Sequence, residues 1–181
     1  EDKAYYSSIG MLLQNLGSFF GVCAFSFIAP TFGRRPAFAI SYLLGFGAIF
    51  WVFVFMTDKS QIFYMMPIMG FCVLMVFGGF AIYFPELFPT RLRSTGTGFC
   101  YNVARYLAAS GPVALPFFHK LYVSSDPARK EAGLAEWTLF SSWGGGDEAF
   151  RYAMVSIAMI AFVGLITILF APETKGKPLP E

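Results

Sequence analysis

Arg105 lies in a stretch, residues 96–117, that carries no other charge. Tyr101 and Asn102 precede it by four and three residues, so on a helix all three share one face. A phenol, an amide and a guanidinium on one face could wall a water-filled cavity. The guanidinium would suit an anionic group, which it can hold through two parallel hydrogen bonds. The other reading makes Arg105 structural, paired with Glu86 or with backbone carbonyls at a helix end. Gln14 and Asn15 are the amides of another apolar stretch, and Gly17 to Gly21 after them is a GxxxG match. Close helix packing is the favoured use of that stripe, with solute hydrogen bonding from Gln14 or Asn15 as the alternative. In the aromatic run Phe77 to Phe84, the hydroxyl of Tyr83 makes it a cavity candidate.

Covalent and metal chemistry find no constellation. The sequence has no HExxH, GxSxG or Walker pattern and no Gly-rich dinucleotide fingerprint. Cys23, Cys72 and Cys100 each sit in apolar runs and read as small buried hydrophobes. His119 is the only histidine, and Ser124 and Ser125 have no obvious base beyond this distant one. No enzyme, metal or cofactor is expected, and any work done on a solute would draw on a gradient.

The elements that hold these residues follow from composition. Of 181 residues, 56% are apolar, 19% aromatic and 13% charged, against about 25% charged in a soluble domain. Those figures, with a net charge of +2, exclude a disordered chain, a collagen-like repeat and a basic nucleic-acid-binding domain, so no nucleic-acid partner is expected. The expected partner is a lipid bilayer. Since a helix needs about 20 apolar residues to cross one, spans are expected at about 8–29, 36–56, 62–84, 96–117 and 151–171. The predicted fold class is all-α, a polytopic membrane bundle of five helices. A loop over 118–150 carries Asp126-Pro127, which predicts a short surface helix near 127–142, with Trp137 and Trp143 at the interface. A tail, 172–181, closes the chain. Glu1-Asp2-Lys3 lacks a basic n-region, so no signal peptide is expected. Gly78-Gly79, Gly111-Pro112 and Pro116 interrupt helical regularity, as static kinks or as gates.

With five spans the termini lie on opposite sides. One side carries Arg34, Arg35, Arg91, Arg93, Lys175 and Lys177, the other Lys3, Lys59, Lys120, Arg129, Lys130 and Arg151. Six against six gives no orientation by the positive-inside rule.

Four segments at span ends carry a resemblance: Phe32-Gly33-Arg34-Arg35-Pro36; Pro85-Glu86 through Arg91 and Arg93 to Gly98; Tyr101-Asn102-Val103-Ala104-Arg105; and Pro172-Glu173-Thr174-Lys175-Gly176. Together they resemble the C-terminal half of major facilitator superfamily transporters, in particular the sugar porter branch and its organic-acid relatives. That family has a Gly-Arg-Arg loop between helices eight and nine. It has a Glu, six residues and an Arg after helix ten, and a Pro-Glu-Thr-Lys-Gly signature after helix twelve. Glu86 to Arg93 has that spacing, and 172–176 matches the tail signature letter for letter.

The resemblance implies helices eight to twelve, with seven preceding helices as the missing partner. It implies secondary transport of a small polar solute, a sugar or organic acid, coupled to protons, with the first, third and fourth spans lining the path. Arg34, Arg35, Glu86, Arg91 and Arg93 are then expected as a charge lock on the cytoplasmic side, with the tail also cytoplasmic and the protein in the plasma (inner) membrane. The chain departs from the family at Ala29-Pro30-Thr31-Phe32, where an acidic and a basic residue usually stand. The alternative is a non-transporting scaffold or receptor, or an inactive fragment, that keeps the bundle.

Overall fold

The computed structural model of the chain describes residues 2–111, 114–116 and 148–176. The helices are α1 (Asp2–Phe32), α2 (Arg34–Phe55), α3 (Ile62–Leu87), α4 (Arg93–Ala108), α5 (Glu148–Ala158) and α6 (Ile160–Phe170), with a 3-10 turn at Lys59–Gln61 before α3. No strand occurs among the described residues. Stretches within α1, α2, the Lys59–Leu87 segment and the Ala153–Phe170 segment are long and apolar enough to cross a membrane. The fourth expected span appears as α4, 16 residues long, followed by a turn at 109–110. The rest of that span, the surface helix expected at 127–142, both loop tryptophans and His119 lie outside the described residues.

Two boundaries run past expectation. α1 continues to Phe32, where Gly33 at φ 101° breaks it. α3 continues through Pro85 to Leu87, which places Glu86 in its last turn. Pro85 costs the helix one backbone hydrogen bond. The side-chain contacts of Glu86 described below hold that turn in place. The fifth span is two helices meeting at Met159, whose N–H is shared between Val155 and Ser156 carbonyls at 3.2 Å each.

α1 and α3 run side by side in the same direction, and glycine makes their contact intimate. A Cβ added at Gly17 would land on the Pro67 carbonyl, one at Gly21 on that of Phe71, and one at Gly70 on that of Gln14. The GxxxG stripe therefore packs helix on helix. Gly78 and Gly79 serve packing too: a Cβ at Gly79 would strike the rings of Phe25 and Phe38. Those rings, 5.0 Å apart between centroids, form the core with Ala29, Ala37, Met75, Tyr83 and Ile168. Phe38 also meets Phe80 and Tyr83, each at 5.5 Å. This core lies beneath the end of the bundle where α1, α3 and α6 finish and α2 begins.

Candidate functional site

That end carries a polar clasp. α2 begins with Gly33 as its cap residue, which has no side chain to accept from the first helical N–H groups. Such groups need an acceptor. Glu173, in the tail beyond α6, supplies it: Oε1 accepts from the Arg34 N–H at 2.9 Å, and Oε2 from the Arg35 N–H at 3.0 Å. Its Oε1 also accepts from the Lys175 N–H at 3.0 Å. A Cβ at residue 33 would come within 3.2 Å of Oε2, so glycine serves both the left-handed backbone and the room for this carboxylate. Desolvation pushes the Glu173 carboxyl up. The N–H groups of Arg35, Arg34, Lys175 and Thr174 outweigh that and hold it below the usual carboxylate range.

The exchange is reciprocal. From the start of α2, the Arg35 side chain donates from Nη2 to the Leu169 carbonyl at 2.8 Å and from Nε to that of Ala171, capping the end of α6. Lys175 Nζ donates to the Thr31 carbonyl near the end of α1 at 2.7 Å, and Tyr83 Oη to the Pro172 carbonyl at 2.6 Å. Arg34 grips Glu86 with both arms, Nη2 to Oε1 at 2.6 Å and Nε to Oε2 at 3.1 Å, while the Thr174 hydroxyl also donates to Oε2. The Arg34 and Glu86 side chains are 15% and 18% exposed. At that shielding a forked pair is worth more than the 0.2–1 kcal/mol of an exposed one. Segment 172–175 thus ties together the ends of α1, α2, α3 and α6.

The expected lock is only partly assembled by these contacts. Arg34, Arg35 and Glu86 come together with the tail residues Pro172, Glu173, Thr174 and Lys175. Gly176, at φ 72°, turns the chain beyond them. Arg93, expected near Glu86 from the spacing, makes no ion pair with it, and its Nε is buried without a hydrogen-bond partner, as is Thr97 Oγ1 one turn on. Arg91 is exposed and outside the clasp. The reason is geometric: the last turn of α3 aims Glu86 at the first turn of α2.

The expected cavity residues divide. Tyr101 and Arg105 line one hollow of about 440 Å³ with Phe77, Phe80, Ala104 and Ala108. Asn102 is exposed and turns back to donate to the Gly98 carbonyl at 2.7 Å, leaving that pair. Gln14 lines a hollow of about 410 Å³ between the first turns of α1 and α3. It also borders an apolar one of about 600 Å³ reaching α2 and α6. Asn15 is exposed and donates to the Met11 carbonyl of its own helix at 2.9 Å. Tyr83, expected in the cavity, is instead 5% exposed and belongs to the clasp.

Comparison with known proteins bears on the same elements. The family described as Sugar (and other) transporter matches residues 1–181. The chain belongs to this family, within the major facilitator superfamily. It is similar to the cis,cis-muconate transport protein of Acinetobacter baylyi, 35% identical over 91 residues, covering 50% of this chain and 22% of that protein. A putative metabolite transport protein of Haemophilus influenzae is 25% identical over 166 residues, 90% of this chain and 34% of the relative. Low affinity inorganic phosphate transporter 3 of Petunia hybrida is 31% identical over 97 residues, 53% of this chain and 15% of the relative. The chain therefore spans about a third or less of the length of these relatives. No solved structure matches it. With its apolar helices, this member of the sugar transporter family is an integral membrane protein.

Two contacts of this family member escaped the sequence reading. Arg151 donates from Nη2 to the Met56 carbonyl at 2.8 Å, capping α2 at the end opposite the clasp. Lys59 Nζ sits over the Tyr6 ring, 5.7 Å from its centroid. The first had a signal in the sequence, a lone arginine at a span start. The second pairs residues on different helices and had none.

Proposed function

We propose that this chain is part of a secondary transporter that moves a small polar solute, a sugar or an organic acid, by alternating access coupled to protons. The whole-chain match to a transporter family is the observation that carries the reading. Two of the relatives' names, for muconate and for inorganic phosphate, favour anionic solutes. On this reading seven further helices precede α1 as the partner bundle, and the clasp end and the tail face the cytoplasm beneath the plasma (inner) membrane. The clasp then ties the ends of α1, α2, α3 and α6 while the path is open to the outside, and Arg93 and Arg91 join the charge network elsewhere in the cycle. Two polar groups beside the apolar rings of Phe77 and Phe80, Tyr101 and Arg105, bear on the solute, with Gln14, Asn15 and Asn102 as further contacts. A guanidinium binds carboxylate or phosphate through a fork that an ammonium lacks.

The test is uptake by the complete protein carrying Arg105→Ala or Arg105→Lys, at matched surface expression. Arg105→Lys is expected to weaken uptake of a carboxylate more than that of a neutral sugar. Unchanged kinetics for Arg105→Ala would overturn the role of Arg105.

A further inference from the structure

Away from the clasp, at the end where α1 and α3 begin, the hollow of about 410 Å³ is lined by Tyr6, Ser7, Gly10, Gln14, Lys59 and Met66 among others. Its size lies within the ~300–1,000 Å³ of small-molecule sites. Among the described residues Lys59 is the only charged side chain on its wall. The ammonium rests over the face of Tyr6, 5.7 Å from the centroid. A ring face attracts a cation through its quadrupole and takes none of the strong acceptors an ammonium could bind. The N–H bonds that point away from the ring therefore stay available at the rim. Among the described residues Lys59 makes no ion pair, even with its neighbour Asp58. Lys59 also opens the 3-10 turn that leads into the 26-residue α3, with Asp58 as the cap residue of that turn. Deeper in the hollow, Gln14 lies eight residues beyond Tyr6 on α1, about 12 Å along the axis. Its side-chain amide makes no hydrogen bond among the described residues, and the residue borders both this hollow and the apolar one that reaches α2 and α6.

A rim cation with open donors, above a floor that can both donate and accept, suits a solute with an anionic head and a polar second group. We infer that Lys59 is the first docking point for the anionic group of the solute, at the mouth opposite the clasp, and that Tyr6 holds its ammonium in place. The inference rests on the transport reading above and adds the side and the group at which the solute is first met. Among the described residues Lys59 is exposed, and its replacement disturbs none of their core contacts.

The experiment compares wild type, Lys59→Gln and Lys59→Arg in the complete protein reconstituted in vesicles. The probes are labelled cis,cis-muconate, inorganic phosphate and a neutral hexose. Loss of one exposed charge contact predicts a KM for the transported anion raised about fivefold in Lys59→Gln, with the maximal rate unchanged. Lys59→Arg should restore KM, and the difference should fade near 1 M salt, where screening acts within about 3 Å. An unchanged anion KM in Lys59→Gln would overturn the docking point while leaving transport intact. So would an equal loss for hexose and anion. Uptake of the hexose alone by wild type would do the same, and would also remove the anion preference. Correctly inserted wild type that takes up none of these probes, and none of a wider panel of labelled sugars and organic acids, would overturn both the docking point and the transport reading.

Discussion

Glu173→Gln separates a tail that merely trails from α6 from one that builds the start of α2. The carboxylate accepts from three backbone N–H groups through two oxygens, at 2.9, 3.0 and 3.0 Å. An amide has only one oxygen and no charge, so it cannot reproduce the two separate contacts to Arg34 and Arg35. A side-chain cap is worth about 0.5–2 kcal/mol and an acid at a helix N-terminus about 0.3–1. Water reaches part of Glu173, which pulls the sum to roughly 1–2 kcal/mol for Gln and somewhat more for Ala. At about 2–4 °C per kcal/mol for a protein of this size, the thermal midpoint in detergent should fall by about 2–8 °C. The pH dependence is the sharper readout. A carboxyl held below its ordinary value of 4.5 contributes stability that is fully present above 4.5 and is lost as pH falls through the lower, folded-state value. The gap between wild type and Glu173→Gln should therefore be constant from pH 7 to about 5 and close under further acidification. Arg35→Gln is the control. It removes the bonds to Leu169 and Ala171 but leaves the cap, so its own midpoint should retain the acid-dependent component. Equal midpoints for wild type, Glu173→Gln and Glu173→Ala, or a gap that persists undiminished under strong acidification, would refute the cap.

On the proposed alternating-access reading, Glu86→Gln in the complete protein should shift cysteine accessibility toward the inward-open side by a bias of about 1–3 kcal/mol, and Arg34→Lys should reproduce part of the shift because it loses the fork. Accessibilities unaltered on both sides would make these residues structural only. Gly17→Val should abolish folded expression, since its side chain would enter the backbone of α3 at Pro67, whereas Gly47→Ala meets nothing within 4 Å and should raise the midpoint slightly. Size-exclusion profiles and thermal midpoints in detergent distinguish the two.

The membrane class was legible because charge-free runs of span length suit little besides the interior of a bilayer. The use of Gly17 and Gly21 was legible as well, since only small residues let two helices approach at backbone distance. The partner of Glu86 was not. Sequence spacing pointed to Arg93, seven residues on, whereas the pair forms with Arg34, 52 residues back, because the direction of the last turn of α3 decides it. The cap at Glu173 had a signal in the sequence: α2 starts after a glycine, with no Ser, Thr, Asp or Asn to cap it, so its first N–H groups had to find an acceptor elsewhere. Tyr83 misled because a hydroxyl amid aromatic residues serves equally well as a cavity contact or as a buried tie to a carbonyl.

Solute uptake by the complete protein in proteoliposomes tests transport most directly. With an inward proton gradient and a panel of labelled sugars and organic acids, the account predicts saturable accumulation of at least one solute above its external concentration, collapsing when a protonophore dissipates the gradient. Folded, correctly inserted protein that moves none of the panel, with or without the gradient, would contradict it.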